Sequence, residues 1–148
     1  MIDLDRFKRY NDEFDHLTGD QVLRTFAQTV QGGLRATDVF GRYGGEEFVQ
    51  ILRHSTVAGA MADAERLRAR ISEVDIPVTR SAGRLTVSIG VAQYKPGEAI
   101  IDTFARADEA LYRAKQRGRN RVECEISATM PPPSARAGKR ARARTHSP

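Results

Sequence analysis

Arg42-Tyr43-Gly44-Gly45-Glu46-Glu47-Phe48 decides how this chain of 148 residues is read. An apolar approach (Val39, Phe40, Tyr43) meets two glycines, then two carboxylates, then Phe48-Val49-Gln50-Ile51-Leu52. Apolar runs on either side of Gly-Gly predict a β-hairpin over roughly 38–53, closed by a two-residue turn with glycine at φ > 0. Such a turn has no side chains, so a bulky ligand can approach its backbone. Glu46 and Glu47 stand directly beside it, where a metal ion can be held against a phosphate. On the turn alone, an ordinary hairpin with a solvated acidic pair is the better reading. Residues at set distances reverse that judgement.

Working outward, Met1–Leu4 reads as the end of a strand. Asp5 is placed to cap a helix carrying Phe7, Tyr10 and Phe14 on one side. Thr18-Gly19-Asp20-Gln21 fits a capping box, followed by Leu23, Phe26, Ala27, Val30 and Leu34 at helical spacing. Beyond the hairpin a third helix begins near Thr56, with Met61, Ala64, Leu67, Ile71 and Val74 inward. Ile76–Thr79 and Leu85–Gln93 read as strands, the second alternating strictly. A fourth helix spans roughly 100–116, with Phe104, Ala107, Leu111 and Tyr112 inward, and ends before Gly118. Arg121–Glu125 is a short last strand. The order β-α-α-β-β-α-β-β-α-β, with helices joined by a hairpin, predicts an α/β sandwich of ferredoxin-like type with a mixed sheet.

The length suits one domain with one core. Five of the 24 basic residues, Arg136, Lys139, Arg140, Arg142 and Arg144, lie in residues 126–148 with no acid among them, so residues 1–125 carry 19 charges of each sign. The body is neutral and the basicity is a tail. A domain that binds a nucleic-acid backbone is normally basic itself, so no nucleic acid is expected on the body. RNA binding through the tail is a separate reading, tested by deleting it. From about Ser127 the composition falls to Ala, Pro, Arg and Ser, and disorder is expected for 126–148. No run reaches membrane-span length. Met1-Ile2-Asp3-Leu4-Asp5 lacks the features of a signal peptide. The single Cys124 fits a reducing, cytoplasmic setting.

Asp3 ends one strand and Glu46 stands at the hairpin turn. If those strands are neighbours, carboxylates from both meet at one edge. Hard oxygen ligands without histidine or cysteine suit magnesium or manganese. Lys8, in the first turn of a helix, and Lys115 and Arg119, flanking Gly118, are candidate phosphate partners. At a helix C-terminus such bases also simply stabilise the dipole. Asn11 and Asp20 together can read the N1–H and amine of guanine, which adenine lacks. Alone, they are as well explained as caps or turn residues.

The separated motifs Asp3-Leu4-Asp5-Arg6-Phe7-Lys8, Asn11-Asp12, His16, Gly19-Asp20, Arg42 to Phe48, Val87-Ser88-Ile89-Gly90-Val91, Ala107-Asp108, Leu111-Tyr112, Ala114-Lys115 and Gly118-Arg119-Asn120 closely resemble the GGDEF family of diguanylate cyclases, from Met1 to about Cys124. The signature reads Gly-Gly-Glu-Glu-Phe. The resemblance implies a fold like the nucleotidyl cyclase and polymerase palm over residues 1–125. It implies condensation of two GTP into cyclic di-GMP, with two domains facing each other as a homodimer because each site holds one GTP. It implies that Asp3, the Leu4 carbonyl and Glu46 bind the metal and that Glu46 helps deprotonate the attacking 3′-hydroxyl. It places Asn11 and Asp20 on guanine with His16 nearby, Lys8, Lys115 and Arg119 on phosphates, and the nucleotide against Gly44 and Gly45.

Arg35-Ala36-Thr37-Asp38, five residues ahead of Gly44, resembles the family's Arg-x-x-Asp product-inhibition site, with Arg66 as its secondary contact. A surface ion pair is the plainer alternative. One departure from the pattern stands at the N-terminus, where family domains have a further helix and the start of the first strand. Only Met1 and Ile2 precede Asp3, so weak anchoring of that strand and reduced activity are expected of the chain as written. A truncated domain that only binds GTP or cyclic di-GMP is the competing reading.

Overall fold

The computed structural model describes residues 1–76 and 83–125. Their elements run β1 (Ile2–Leu4), α1 (Phe7–Glu13), α2 (His16–Gln31), β2 (Val39–Arg42), β3 (Glu47–Ile51), α3 (Val57–Glu73), β4 (Val87–Val91), α4 (Ile100–Gln116) and β5 (Val122–Cys124). The strands form one mixed sheet in the order β2-β3-β1-β4-β5, the α/β architecture expected. Of the strand read at Ile76–Thr79, Ile76 is buried and the rest lies outside the described residues. The tail from 126 onward also lies outside them.

β1 is the middle strand. It runs antiparallel to β3 (Ile2↔Phe48, Asp3↔Glu47) and to β4 (Ile2↔Ile89, Asp3↔Ser88, Leu4↔Val87). Three residues are thus bonded from both sides, and the Gly90 N–H donates to the Met1 carbonyl at 2.9 Å. Strand alternation then sorts the side chains. Ile2 and Leu4 share a face with Phe48, Val87 and Ile89, packed against Phe26, Leu67 and Ile71 in one buried cluster. Phe26 and Phe48 meet with ring centroids 4.7 Å apart, tilted at 57°. Full burial of each such side chain is worth about 1.5–3 kcal/mol. Asp3, Ser88 and Gly90 take the other face, where α4 crosses β4. Gly90 permits that crossing, because a Cβ there would stand 2.1 Å from the Ala107 carbonyl oxygen and 2.3 Å from Leu111 N.

The parallel pair β4–β5 is bridged by α4. Arg106 on α4 clamps its surroundings, bonding Glu98 at 2.6 Å, Glu125 at 2.5 Å and the Gln93 carbonyl at 2.8 Å. No helix among the described residues is long and apolar enough to cross a membrane.

Four local expectations are corrected. The hairpin loop is Tyr43–Glu46 rather than a two-residue turn, and the glycines at positive φ are Gly83, Gly97 and Gly118, not Gly44 or Gly45. Side chain and carbonyl contacts shape the loop instead: Arg42 donates to the Gly44 and Gly45 carbonyls, and the Tyr43 and Gly44 N–H groups converge on the Glu47 carbonyl. Asp5 does not cap α1; Arg6, at φ 57°, holds that position without a side-chain bond. The cap of α2 is Asp15, which accepts from Thr18 N at 2.7 Å, so the capping-box reading at Thr18 starts the helix three residues late. Tyr112 is exposed, since the buried stripe of α4 runs through Thr103, Ala107, Ala110, Leu111 and Ala114.

Gly90→Ala is expected to destabilise the fold by about 3 kcal/mol, because the added methyl meets backbone rather than a side chain that can turn away. Urea denaturation checks this; a midpoint equal to wild type would count against the close α4 crossing.

Candidate active site

Two carboxylates converge where β1 meets the hairpin. Asp3 lies in the centre of β1 at 4% exposure, opposite Glu47 in the β3 ladder. Glu46 is the next residue back along the chain, and its carbonyl accepts from Leu4 N at 3.2 Å. The register that buries Ile2 and Leu4 therefore also brings Asp3 to Glu46. From the opposite layer, α4 delivers Lys115, whose ammonium bonds Asp3 Oδ2 at 2.7 Å.

The electrostatics match the geometry. Burial pushes the Asp3 carboxyl above its ordinary value, with Glu47 and Asp5 adding to the rise and Lys115 opposing it. Burial also raises Glu46, helped by the charge of Asp3 and opposed by Lys115. The Asp3 charge thus disfavours ionised Glu46, and Lys115 opposes the rise at both acids. Among the described residues there is no group of three or more His, Cys, Asp or Glu side chains able to hold a metal ion. Two carboxylates short of positive charge fit a hard cation that takes the rest of its shell from water and phosphate.

The other residues singled out in the sequence lie on α1, α2, the hairpin loop and the turn after α4. Lys8 is exposed on α1. Arg119 is exposed in the turn that follows α4, with φ 64°. Gly45 is open, since a Cβ there would meet nothing within 4 Å, and one at Gly44 would meet only the Glu47 side chain. Asn11 on α1 is half-buried against α2; a Cβ at Gly19 would stand 1.9 Å from Asn11 Oδ1. Gly19 therefore fixes the approach of Asn11, and Asp20 follows it, exposed, on the same helix. His16 is exposed at the start of α2. Gly19 was in the motif but not read as a site residue; its packing role needs the helix pair to be seen.

Arg35, Asp38 and Arg66 come together in a second place, a depression of about 130 Å³ also lined by Asp63 and Arg70. The Arg35 N–H donates to Asp38 Oδ2 at 3.2 Å, and Asp38 Oδ1 is buried without a hydrogen-bond partner among the described residues. Asp63 pairs with Arg66 and lies 3.7 Å from Arg35. Sequence reading missed Asp63 and Arg70, which carry no signal apart from helical offsets of three and four from Arg66.

The diguanylate cyclase, GGDEF domain family matches residues 1–121. The chain belongs to the GGDEF family. This GGDEF domain is 45% identical over 122 residues to the diguanylate cyclase DgcM of Escherichia coli K12, covering 82% of the chain and 29% of that protein. It is also 45% identical over 127 residues to the response regulator PleD of Caulobacter vibrioides, covering 82% of the chain and 28% of the relative. The chain thus spans less than a third of either curated relative. Among solved structures, the GGDEF domain of DgcB from Caulobacter crescentus, in complex with c-di-GMP, superposes with TM-score 0.78 at 38% identity, over 84% of this chain and 74% of that one. The active GGEEF domain of a Vibrio cholerae diguanylate cyclase gives 0.78 at 35%, over 86% and 81%.

A raised carboxyl pKa means that the fold favours the neutral acid. For Asp3 that contribution is fully present below the ordinary value of 3.8 and is lost as pH rises through the folded value. Asp3→Asn is therefore expected to gain stability relative to wild type as pH rises from about 4 to about 7. Urea denaturation of both proteins across that range checks it; a pH-independent difference would contradict the buried-charge reading.

Proposed function

We propose that this GGDEF domain is a diguanylate cyclase that condenses two GTP into cyclic di-GMP and releases two pyrophosphates. The convergence of Asp3, Glu46 and Lys115 at the β1–hairpin edge carries the reading. Each domain holds one GTP. Two copies of the chain face each other so that the 3′-hydroxyl of one nucleotide attacks the α-phosphorus of the other. A phosphorus–oxygen bond forms to the 3′-oxygen, the bond to the β-phosphate bridging oxygen breaks, and pyrophosphate leaves with its electron pair. The reaction repeats in the other direction to close the ring.

Glu46 takes the hydroxyl proton. Its raised pKa makes it a better base than an exposed glutamate, as general-base work near neutral pH requires. Asn11 and Asp20 orient guanine, with His16 beside them, and select it over adenine. Lys8, Lys115 and Arg119 hold phosphates, and the bare loop at Gly44 and Gly45 leaves room for the nucleotide. Magnesium or manganese, held by Asp3, the Leu4 carbonyl and Glu46, would supply charge neutralisation for the phosphoryl transfer. Lys115 bonds Asp3 Oδ2 at 2.7 Å and so lies within reach of whatever that carboxylate holds.

At the second depression, cyclic di-GMP binds to Arg35, Asp38 and Arg66 and inhibits without competing with GTP. Arginine suits this ligand because its planar fork meets phosphate in a bidentate fashion and stacks on bases. The buried, unpaired Asp38 Oδ1 supports the site, since it awaits a donor of the kind a guanine edge offers.

Glu46→Gln should lower cyclic di-GMP formation by about 10²–10⁴-fold, the usual worth of a positioned base. Product formation from GTP with magnesium, followed chromatographically, reads it. Near-normal turnover would end the mechanism, and a wild-type chain that binds GTP without making product would favour the binding-module reading. Separately, Arg35→Ala should weaken cyclic di-GMP binding about tenfold or more, the worth of a charged hydrogen bond. Calorimetry with cyclic di-GMP decides that, and unchanged affinity would discard the second site.

A further inference from the structure

Asp5 has no part in the contacts proposed for metal or nucleotide, yet its environment is built. It is 5% exposed. Its Oδ1 accepts from Ser88 Oγ at 2.6 Å, and its Oδ2 accepts from Thr86 Oγ1 at 2.8 Å and from the backbone N–H of Asn120 at 2.9 Å. The first two bonds tie the residue after β1 to Ser88 in β4 and to Thr86 just before it. The third reaches across the sheet edge to the turn that follows α4.

That turn is strained. Gly118, Arg119 and Asn120 have φ of 112°, 64° and 45°, three consecutive residues in the left-handed region. Two of them carry a Cβ, which disfavours that conformation. Such a run persists only where its surroundings over-determine it. Within the turn, the Arg119 N–H reaches back to the Ala114 carbonyl at 3.0 Å. From outside, Arg68 donates to Asn120 Oδ1 at 2.8 Å, and Asp5 takes the Asn120 N–H. Asp5 lies on the same face of the chain as Asp3, two residues on, and Asp3 receives Lys115. The two aspartates therefore hold the two ends of the segment Lys115–Asn120.

We propose that Asp5 is a positioning residue for the phosphate grip: through the Asn120 N–H it holds the left-handed turn so that Arg119 and Lys115 face one triphosphate. This rests on the reading that Lys115 and Arg119 bind phosphates. It separates Asp5 from the base end of the nucleotide, which sits on α1 and α2. Asparagine at position 5 has one acceptor oxygen instead of two for three donors, so it frees the turn with little change of volume.

The test uses the full chain with magnesium and two probes: 3′-deoxy-GTP, which cannot be condensed, and guanosine, which has no phosphate. Affinities are read by calorimetry and by NMR titration, with melting temperatures recorded alongside. Asp5→Asn should weaken 3′-deoxy-GTP about tenfold and leave guanosine unchanged. A merely structural residue would change both together or neither. Arg119→Ala serves as the reference and should show the same selective loss. Arg119→Ala with wild-type affinity for 3′-deoxy-GTP would overturn the phosphate reading and the proposal with it. A selective loss in Arg119→Ala but equal losses, or none, in Asp5→Asn would overturn the positioning role alone. If Asp5→Asn does not fold, Thr86→Val decides. It removes one of the two donors on the oxygen that holds Asn120, and should give a smaller loss of the same selectivity; unchanged affinity for both probes would overturn the proposal.

Discussion

Two buried carboxylates, one on the three-residue central strand and one just past its end, constrain everything around them. An aspartate taken out of water must be paired or hydrogen-bonded. Asp3 and Asp5 are both at most 5% exposed, and they draw their donors from β4, from the last turn of α4 and from the turn beyond it. The sheet order places β1 where those donors can reach it from one side while the hairpin brings Glu46 from the other. A charged middle strand is a poor way to stabilise a sheet. The apolar face of Ile2 and Leu4 carries the packing, and the polar face gathers the charged groups of the proposed site.

Much of this was legible in the residues because it is local. α3 and α4 were read at nearly their observed bounds, since apolar spacing, the Thr56 cap and Gly118 are all short-range signals. The hairpin was found from its apolar flanks. Its turn was misread because Arg42 folds back on the Gly44 and Gly45 carbonyls, a contact that no dipeptide rule contains. Tyr112 was placed inward because it follows Leu111 directly, but one step along a helix rotates a side chain well away from the buried stripe. Asp5 was read as a cap because helix caps are common and its true partners lie 81 to 115 residues away.

The site shows the same division. Its residue types and offsets were recognisable as a pattern, whereas the bond of Lys115 to Asp3, 112 residues away in the chain, was not. Asp63 was invisible beforehand. It lies inside the depression with Arg35 and Arg66, and its carboxylate pairs with both arginines. Any anion arriving there must exchange places with a carboxylate already present.

The bonds that complete the proposed active site are among the most non-local in the chain: Lys115 to Asp3 spans 112 residues and Asn120 to Asp5 spans 115. Closing so long a loop costs entropy before any contact repays it. During synthesis, which proceeds from the N-terminus, Asp3 and Asp5 are made long before Lys115 and Asn120. Until residue 120 has left the ribosome, Asp3 and Asp5 have no lysine and no Asn120 amide, and the nascent chain holds a middle strand without its counter-charges. The same order runs backwards in the finished molecule. The last turn of α4 and the turn beyond it carry the bonds to both aspartates, so local opening there would uncouple Asp3 and Asp5 from α4 while the hairpin keeps its own ladder.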